Sequence, residues 1–186
     1  MKNNQLSIEG VSVWIVCVSF YLYELLLRTI LGTFQEPLMK DLNLNSFDFA
    51  LLSSTAYLLI YAVMQMPVSS IIKRFGIKFS MLFAALVCAF ASVGFSLCHS
   101  HATALLFRGL MGFGSAFGFI GMLVAVYDWL PYKNIALFIG ISQFLGTLGP
   151  MAAAGPLDTL IHSTHISWRN CFYIYLTRMN FRIIQH

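Results

Sequence analysis

The sequence has very few charged residues for its length. Only 10% of its 186 residues are Asp, Glu, Lys or Arg, whereas 59% are hydrophobic. A soluble domain averages about 25% charged residues, so this set of charges is too small to cover a folded chain in water. The shortage excludes an ordinary soluble domain and indicates a chain that is surrounded by lipid.

Catalytic and metal-binding patterns are also missing. The sequence has no H-E-x-x-H, P-loop or G-x-S-x-G pattern, and all five histidines fall in loops or in the tail. Cys98, His99 and His101 lie close together, but no second Cys/His pair nearby completes the four ligands of a zinc site. We therefore expect no enzyme activity, no bound metal and no cofactor.

The sequence also differs from nucleic-acid-binding proteins and from proteins with a cleavable signal peptide. The net charge of +4 is small, and Lys and Arg residues gather at the ends of apolar runs instead of forming a basic face interleaved with aromatic residues. This distribution predicts no nucleic-acid partner. The first apolar run is too long for a cleavable signal peptide and has no A-x-A site.

Long apolar runs are what the sequence does contain. A spanning helix needs about 20 apolar residues, and five runs are long enough, whereas a sixth becomes polar and stops after Leu176. We predict an all-α, polytopic membrane helix bundle, a single transmembrane domain over 1–186 whose sixth helix is cut off or shifted in frame. The predicted helices cover about 11–34, 47–72, 79–98, 102–130 and 135–157, with a partial sixth from about 171.

Lys and Arg residues in the short loops predict the orientation of the chain. One side of the predicted bundle, which includes the N-terminal tail, carries more of them than the other. The richer side holds Lys2, Lys73, Arg74, Lys78 and Lys133, and the poorer side holds Lys40 and Arg169. Because these residues accumulate in cytoplasmic loops, the N-terminus is predicted to be cytoplasmic.

The first helix carries two charges at membrane depth. Glu24 and Arg28 are four residues apart, a spacing at which helical side chains can pair. Each charge costs about 2.5–3.5 kcal/mol to insert, so such residues tend to face a bundle interior or a wet cavity. We predict that Arg28 binds an anionic group of a substrate, with Glu24 as its resting partner or a proton carrier. An ion pair that merely orients the helix is the alternative.

The second helix has a polar stripe on one face. Its members follow at steps of three and four residues, and they are Ser54, Tyr57, Tyr61 and Gln65. The stripe predicts a polar cavity beside the first helix, although hydrogen bonds between helices would explain it equally well. Pro67 follows the stripe and is predicted to bend the helix.

Small residues dominate the fourth and fifth helices. Arg108 is followed in the fourth helix by a series of glycines that includes Gly112, Gly114 and Gly118, and the fifth helix holds Gly149 and Pro150. Glycine at this spacing is typical of closely packed helices, and proline favours a bend. Packing does not explain Arg108, since packing needs no guanidinium.

The loop after the second helix resembles a motif of the major facilitator superfamily. The family pattern is G-x-L-A-D-R-x-G-R-R, and this chain reads S-S-I-I-K-R-F-G-I-K from residue 69 to 78. Arg74, Gly76 and Lys78 match, whereas Ser69 replaces a glycine and Lys73 replaces the aspartate. In the family this loop holds the cytoplasmic gate through that aspartate, which attracts basic groups that a lysine would repel.

Three further stretches resemble the same family in the same order. Residues 108–116 resemble R-x-x-q-G-x-g-a, with Met111 in place of the glutamine. Gly149 and Pro150 match the start of the antiporter-associated G-P-x-x-G-G, and residues 168–172 match W-R-x-x-F at the entry of the sixth helix. The chain therefore resembles the N-terminal half of a major facilitator.

This resemblance implies a secondary active transporter, a symporter or antiporter, that moves a small solute by alternating access with a coupling proton. Glu24, Arg28, Tyr57, Tyr61 and Gln65 would contact an anionic or zwitterionic solute, and Arg108 would take part in coupling. The expected location is a bacterial inner membrane. The alternatives are a non-transporting remnant or partner subunit and, disfavoured by the missing catalytic set, a membrane enzyme.

Overall fold

The computed structural model describes residues 7–157, 159, 167–176 and 178, and all regular structure among them is helical. Five helices are long and apolar enough to cross a membrane, and a sixth follows. The helices are α1 (Ile8–Asp41), α2 (Ser46–Phe75), α3 (Ile77–Ser96), α4 (His101–Trp129), α5 (Tyr132–Pro156) and α6 (Trp168–Asn170, continued over Cys171–Leu176). The predicted all-α membrane bundle is confirmed. The end of the predicted sixth segment lies outside the described residues.

Side-chain caps explain where three of the helices begin. The hydroxyl of Ser7 accepts a hydrogen bond from the Gly10 amide at 3.0 Å, and Asn45 accepts one from Asp48 at 2.8 Å. The Ser100 hydroxyl does the same for Thr103 at 3.3 Å. These residue types are favoured at such positions because the first amides of a helix have no partner within it.

A single residue, Gly76, connects α2 to α3. Its φ of +84° and ψ of 158° belong to a region that is essentially restricted to glycine. The Gly76 amide donates to the Ile72 carbonyl at 2.9 Å, and its own carbonyl accepts from Ser80. The reversal of chain direction between two spanning helices therefore depends on one backbone conformation.

We expect Gly76→Ala to destabilise the protein by about 1–3 kcal/mol, the usual cost of an unfavourable backbone conformation. A methyl group there would meet no atom within 4 Å, so the effect is purely conformational. Gly32→Ala is the matched control, because its space is also open and its φ is not positive. Equal thermal unfolding midpoints for the two variants would contradict this account.

Three of the five membrane-crossing helices depart from α-helical geometry at the same end of the bundle. Helix α1 is 3-10 helical over Ile30–Phe34, and π-helical stretches cover Leu51–Thr55 in α2 and, at the end of α5, Ala153–Leu157, which extends one residue beyond Pro156. We call this end, where α1 ends and α6 begins, the distal end, and the end with the 73–78 loop the proximal end. Pro67 lies inside the α-helical stretch Ala56–Phe75 of α2, and the bend that it predicts stays a prediction.

Glycines on α4 let three other helices approach it closely. A Cβ at Gly118 would collide with Glu24 of α1, and one at Gly112 would collide with the Tyr57 backbone of α2. A Cβ at Gly114 would meet Cys88 of α3. Small residues at such contacts bring backbones together, so α4 is the centre of the bundle.

A glycine also allows α1 and α5 to approach each other closely. At Gly149 a Cβ would meet the carbonyl of Leu22 and the amide of Leu26. Pro150 follows it, half-buried, inside the α-helical stretch Ile135–Ala152, and the π-helical stretch begins three residues later. Much of the surface of α2 and α5 is exposed and apolar. Such a surface fits contact with lipid or with further helices.

We expect Gly112→Ala to lower the thermal unfolding midpoint, because overpacking a tight contact costs about 1–3 kcal/mol. The added methyl group would press on the backbone of α2, which cannot move aside as a flexible side chain can. Gly140→Ala is the control, since a methyl group there has open space, and alanine is the better helix former. A midpoint for Gly112→Ala at or above that of the control would refute the close-contact role.

Candidate functional site

The candidate site lies where α1, α2 and α4 meet, and Glu24 is at its centre. The Glu24 side chain is fully buried and fills the space above Gly118. Within the described part of the chain, neither of its carboxylate oxygens has a hydrogen-bond partner. Arg28 is near enough to act on the carboxyl group electrostatically, and the Tyr61 hydroxyl lies next to that group. A buried carboxyl group that lacks a partner is the least expected polar group in a membrane helix.

The predicted pairing of Glu24 with Arg28 is wrong in this structure. Arg28 is exposed, and no ion pair joins it to Glu24 among the residues described. The spacing permits a pair, but the Glu24 side chain instead turns into the space that Gly118 leaves open on α4. Arg28 is thus free to contact something outside the bundle.

Arg108 has no exposed surface and binds backbone oxygens. Its Nη1 donates to the carbonyl of Leu27 at 2.9 Å, and its Nη2 donates to the carbonyls of Arg28 and Ser53, each at 2.9 Å. The guanidinium also lies 4.5 Å from the centroid of the Tyr57 ring, a cation–π contact. One side chain of α4 therefore joins α1 to α2.

The breaks in α1 and α2 supply the acceptors for Arg108. Leu27 and Arg28 lie in the last turn of the α-helical stretch Ile8–Thr29, just before the 3-10 segment, and Ser53 lies in the π-helical segment. Carbonyl groups at such places lack their usual partner within the helix. The planar guanidinium satisfies all three together, which the single ammonium of a lysine could not do as well.

The polar stripe on α2 divides into a buried and an exposed part. Tyr57 is fully buried, and its hydroxyl donates to the Glu24 carbonyl at 3.4 Å, while its ring stacks on Tyr61 with 6.1 Å between centroids. Tyr61 and Gln65 are half-buried, and Ser54 is exposed. Gln65 Nε2 is buried without a described partner. Tyr57 thus serves packing, whereas Tyr61 presents a polar group beside Glu24 and Gln65 lies next to Tyr61.

The remaining predicted residues lie elsewhere. Lys73, Arg74 and Lys78 are exposed at the proximal end, where the Arg74 guanidinium lies 5.7 Å from the centroid of the Phe75 ring. Gly76 is in the same loop. The structure therefore brings Glu24, Tyr57, Tyr61 and Arg108 together, and it places the loop outside this cluster.

Two hydrogen bonds between side chains of α1 and α5 escaped the sequence reasoning. The Tyr21 hydroxyl donates to Gln143 Oε1 at 2.7 Å, and the Trp14 indole donates to the Ser142 hydroxyl at 2.8 Å. The partners are more than 120 residues apart in the chain. The only available signal was the presence of Ser142 and Gln143 in an otherwise apolar run.

The site contains one carboxyl group and one bound cation, and these two groups set what it can do chemically. The buried carboxyl group of Glu24 can take up or release a proton. The buried cation Arg108 already has three oxygen acceptors. The described residues contain no group of three His, Cys, Asp or Glu side chains that could hold a metal ion.

Solved structures show which fold the bundle has. It superimposes with a TM-score of 0.79 on a bacterial homologue of the human lysosomal transporter Spinster, crystallised in an inward-facing and unoccupied conformation. The match covers 96% of this chain and 43% of that one at 19% sequence identity. At this identity the likeness shows the fold alone.

Curated relatives and a family model carry the sequence relationship. The efflux pump hmp6 of Hypomyces subiculosus is 27% identical over 90% of this chain, which spans 29% of that pump. The MFS-type efflux pump MFS1 of Trichophyton rubrum is 32% identical over 66% of the chain, which spans 22% of it. The chain thus spans less than a third of these relatives. The model of the Major Facilitator Superfamily matches residues 14–177, and the chain belongs to that family of multi-pass membrane proteins.

Proposed function

We propose that these helices belong to a proton-coupled secondary transporter that moves a small solute by alternating access. The single observation that carries this proposal is the Glu24 carboxyl group, fully buried in a spanning helix and without a hydrogen-bond partner in the described chain. Charged groups at this depth are costly and mark proton relays or ion paths. Glu24 is the proton carrier in this scheme.

Arg28, Tyr61 and Gln65 are the residues that we propose to contact the solute. Arg28 is exposed, and the other two are half-buried, Tyr61 beside Glu24 and Gln65 next to Tyr61. A guanidinium that is free of an acidic partner can bind a carboxylate or phosphate through two parallel hydrogen bonds. An anionic or zwitterionic solute is the class that this surface fits.

Arg108 is proposed to couple the proton to movement of the helices. It binds the carbonyls of Leu27 and Arg28, about one turn from Glu24, and also the Ser53 carbonyl of α2. A change in α1 on protonation of Glu24 would reach α2 through these bonds. Arg108 therefore acts by position and need not bind a proton itself.

We propose outward movement of the solute in exchange for protons. The relatives named above are described as efflux pumps, and Gly149 and Pro150 match an antiporter-associated pattern. A cytoplasmic proximal end is supported by exposed Lys73, Arg74 and Lys78 at that end. Those relatives are fungal, so the bacterial inner membrane stays a prediction.

A flux measurement tests the proposal. The intact transporter would be reconstituted in proteoliposomes, and the uptake of anionic and zwitterionic solutes would be compared with and without an imposed pH gradient. Accumulation that follows the sign of the gradient is expected, together with a matching proton flux. Transport without any response to the gradient would refute proton coupling. No movement of any solute would favour the alternative, a non-transporting membrane protein or partner subunit.

A further inference from the structure

A row of small polar side chains lies on the buried face of α3. Cys88, Ser92 and Ser96 follow one another at steps of four residues, so they lie on one face of the helix, and all three are almost completely buried. The row begins near the middle of α3 and ends at its last residue, at the distal end. Buried polar groups need hydrogen-bond partners, so the surroundings of each member indicate what it does.

The Ser92 hydroxyl differs from those of three other buried serines. The hydroxyls of Ser80, Ser96 and Ser142 each donate to a carbonyl three or four residues earlier in the chain, at 2.6–2.8 Å, which is the usual arrangement in a helix. The Ser92 hydroxyl is fully buried and has no hydrogen-bond partner among the described residues. It is therefore left for a partner outside its own helix.

The neighbour of the Ser92 hydroxyl is the hydroxyl of Tyr23 on α1. The Tyr23 side chain has no exposed surface, and its hydroxyl lies next to Ser92 and close to the Cys88 thiol. The two hydroxyls do not have the geometry of a hydrogen bond, and within the described chain the Tyr23 hydroxyl has no other partner either. Two buried hydroxyls that lie side by side without bonding directly are suited to a water between them.

Cys88 supplies a third polar group and connects the hydroxyl pair to the candidate site. Its sulfur lies 3.9 Å from the Ser115 hydroxyl and 3.9 Å from the Met111 carbonyl oxygen, both of α4. The Glu24 carboxyl group is near enough to act on the Cys88 thiol electrostatically. The hydroxyl pair therefore adjoins the candidate site from the side of α3, whereas the proposed solute contacts of α2 approach it from another helix.

We propose that the hydroxyls of Tyr23 and Ser92 and the thiol of Cys88 bind an internal water molecule between α1, α3 and α4. A buried water makes about three hydrogen bonds, mostly to polar groups that otherwise lack a partner, and this site offers two such hydroxyls and a thiol. The water site does not depend on transport. Its role rests on the proposed function: the water gives Glu24 a route for protons along α3, separate from the surface that contacts the solute.

Protons can pass along this route without leaving a charge on any of its members. The water accepts one proton from the Ser96 end and gives one of its own to the Cys88 sulfur, which releases its proton to the Ser115 hydroxyl. The Tyr57 hydroxyl lies next to Ser115 and near the Glu24 carboxylate, so it accepts that proton and delivers its own. Only the donor at the distal end, which loses a proton, and Glu24, which gains one, change charge.

The first experiment measures how quickly the Cys88 thiol exchanges its hydrogen for deuterium. This chain in lipid nanodiscs would be transferred to D2O, and the infrared S–H and S–D stretching bands would be followed. Cys17 is the internal control, because it is equally buried and burial alone acts on its thiol in the described chain. Cys88→Ala and Cys17→Ala identify the two bands. We expect Cys88 to exchange roughly tenfold faster than Cys17 or more, because water reaches Cys88 without opening of the fold. Equal rates would overturn the water site.

Two conservative variants test whether the hydroxyls hold the water. Tyr23→Phe and Ser92→Ala each remove one hydroxyl with little change of shape, and each should slow exchange at Cys88 severalfold while exchange at Cys17 stays the same. Ser80→Ala is the matched control, since Ser80 is a buried serine of the same helix whose hydroxyl already has a partner, and it should leave exchange at Cys88 unchanged. Unchanged exchange at Cys88 in both Tyr23→Phe and Ser92→Ala would overturn the assignment of these residues.

The second experiment tests the role of the water in the intact transporter. Solute accumulation driven by a pH gradient would be compared with solute counterflow at equal pH, in proteoliposomes of the wild type and of Ser92→Ala. The ratio of accumulation to counterflow is expected to fall severalfold in the variant. An unchanged ratio would overturn the proton route. If the wild type does not respond to the gradient at all, the proposed function fails, whereas the exchange experiment still decides the water site by itself.

Discussion

Glu24→Gln is expected to abolish transport driven by a proton gradient, while exchange of solute without a gradient continues. Glutamine keeps the size and polarity of the side chain but cannot take up or release a proton. The buried position above Gly118 should accept it, because the two side chains have nearly the same shape. The measurement is solute accumulation against its own gradient in proteoliposomes of the intact transporter, beside solute counterflow at equal pH.

Glu36→Gln is the matched control for this variant. Glu36 is a carboxyl group in the same helix, but it is exposed, so its loss should leave both rates unchanged. Glu24→Gln should also keep or raise the thermal unfolding midpoint, because a buried charge without a partner is destabilising. Continued uphill accumulation by Glu24→Gln would show that another group carries the proton. A large fall in its midpoint would show that Glu24 is needed for the fold.

Arg108→Ala is expected to have the largest effect on stability. It removes the donor for three carbonyl oxygens, the buried one of Leu27 and the partly buried ones of Arg28 and Ser53. An unsatisfied buried polar group costs about 1–3 kcal/mol, so the free energy of unfolding should fall by about 3 kcal/mol or more. Arg108→Lys should be intermediate, since one ammonium group cannot match the geometry of the guanidinium.

The unfolding midpoints of these variants, measured in detergent, would be compared with that of Arg74→Ala. Arg74 is an exposed arginine at the proximal end, and its removal should change the midpoint little because exposed charges contribute little to stability. An Arg108→Ala midpoint equal to the Arg74→Ala midpoint would mean that α1 and α2 recover regular hydrogen bonds without Arg108. In that case Arg108 would not stabilise the fold, and coupling would be its remaining proposed role.

Features that depend on local composition could be predicted from the sequence. The apolar runs predicted a helical membrane bundle because the length of a spanning helix follows from the thickness of the bilayer, and that fold is confirmed. Four motifs in order predicted the family, which the family model confirms over residues 14–177. Because members of this family are transporters, the prediction that the chain is not an enzyme is confirmed as well.

Features that depend on contacts between helices could not be predicted. The spacing of Glu24 and Arg28 permitted a pair, but a glycine 94 positions after Glu24, Gly118, decided where the carboxyl group lies. The carbonyls that bind Arg108 are acceptors only because α1 and α2 depart from regular geometry. No proline marks the segment Leu51–Thr55, whereas Pro67 lies in a regular stretch. The breaks in α1 and α2 therefore reflect packing and not local sequence, whereas the π-helical stretch of α5 follows Pro150 and contains Pro156.

The one-residue connection at Gly76 makes α3 a lever. Helix α3 contains 20 residues, and at 1.5 Å per residue it is about 30 Å long. A rotation of only about 10° about the backbone bonds of Gly76 would displace the other end of α3 by about 5 Å. That other end carries Ser96 and leads into Cys98, whose carbonyls Arg169 binds. Helix α3 is thus connected to α2 through one residue at its first end and held by hydrogen bonds at its other end. A change in the backbone torsions of Gly76 would therefore strain α3 instead of rotating it freely.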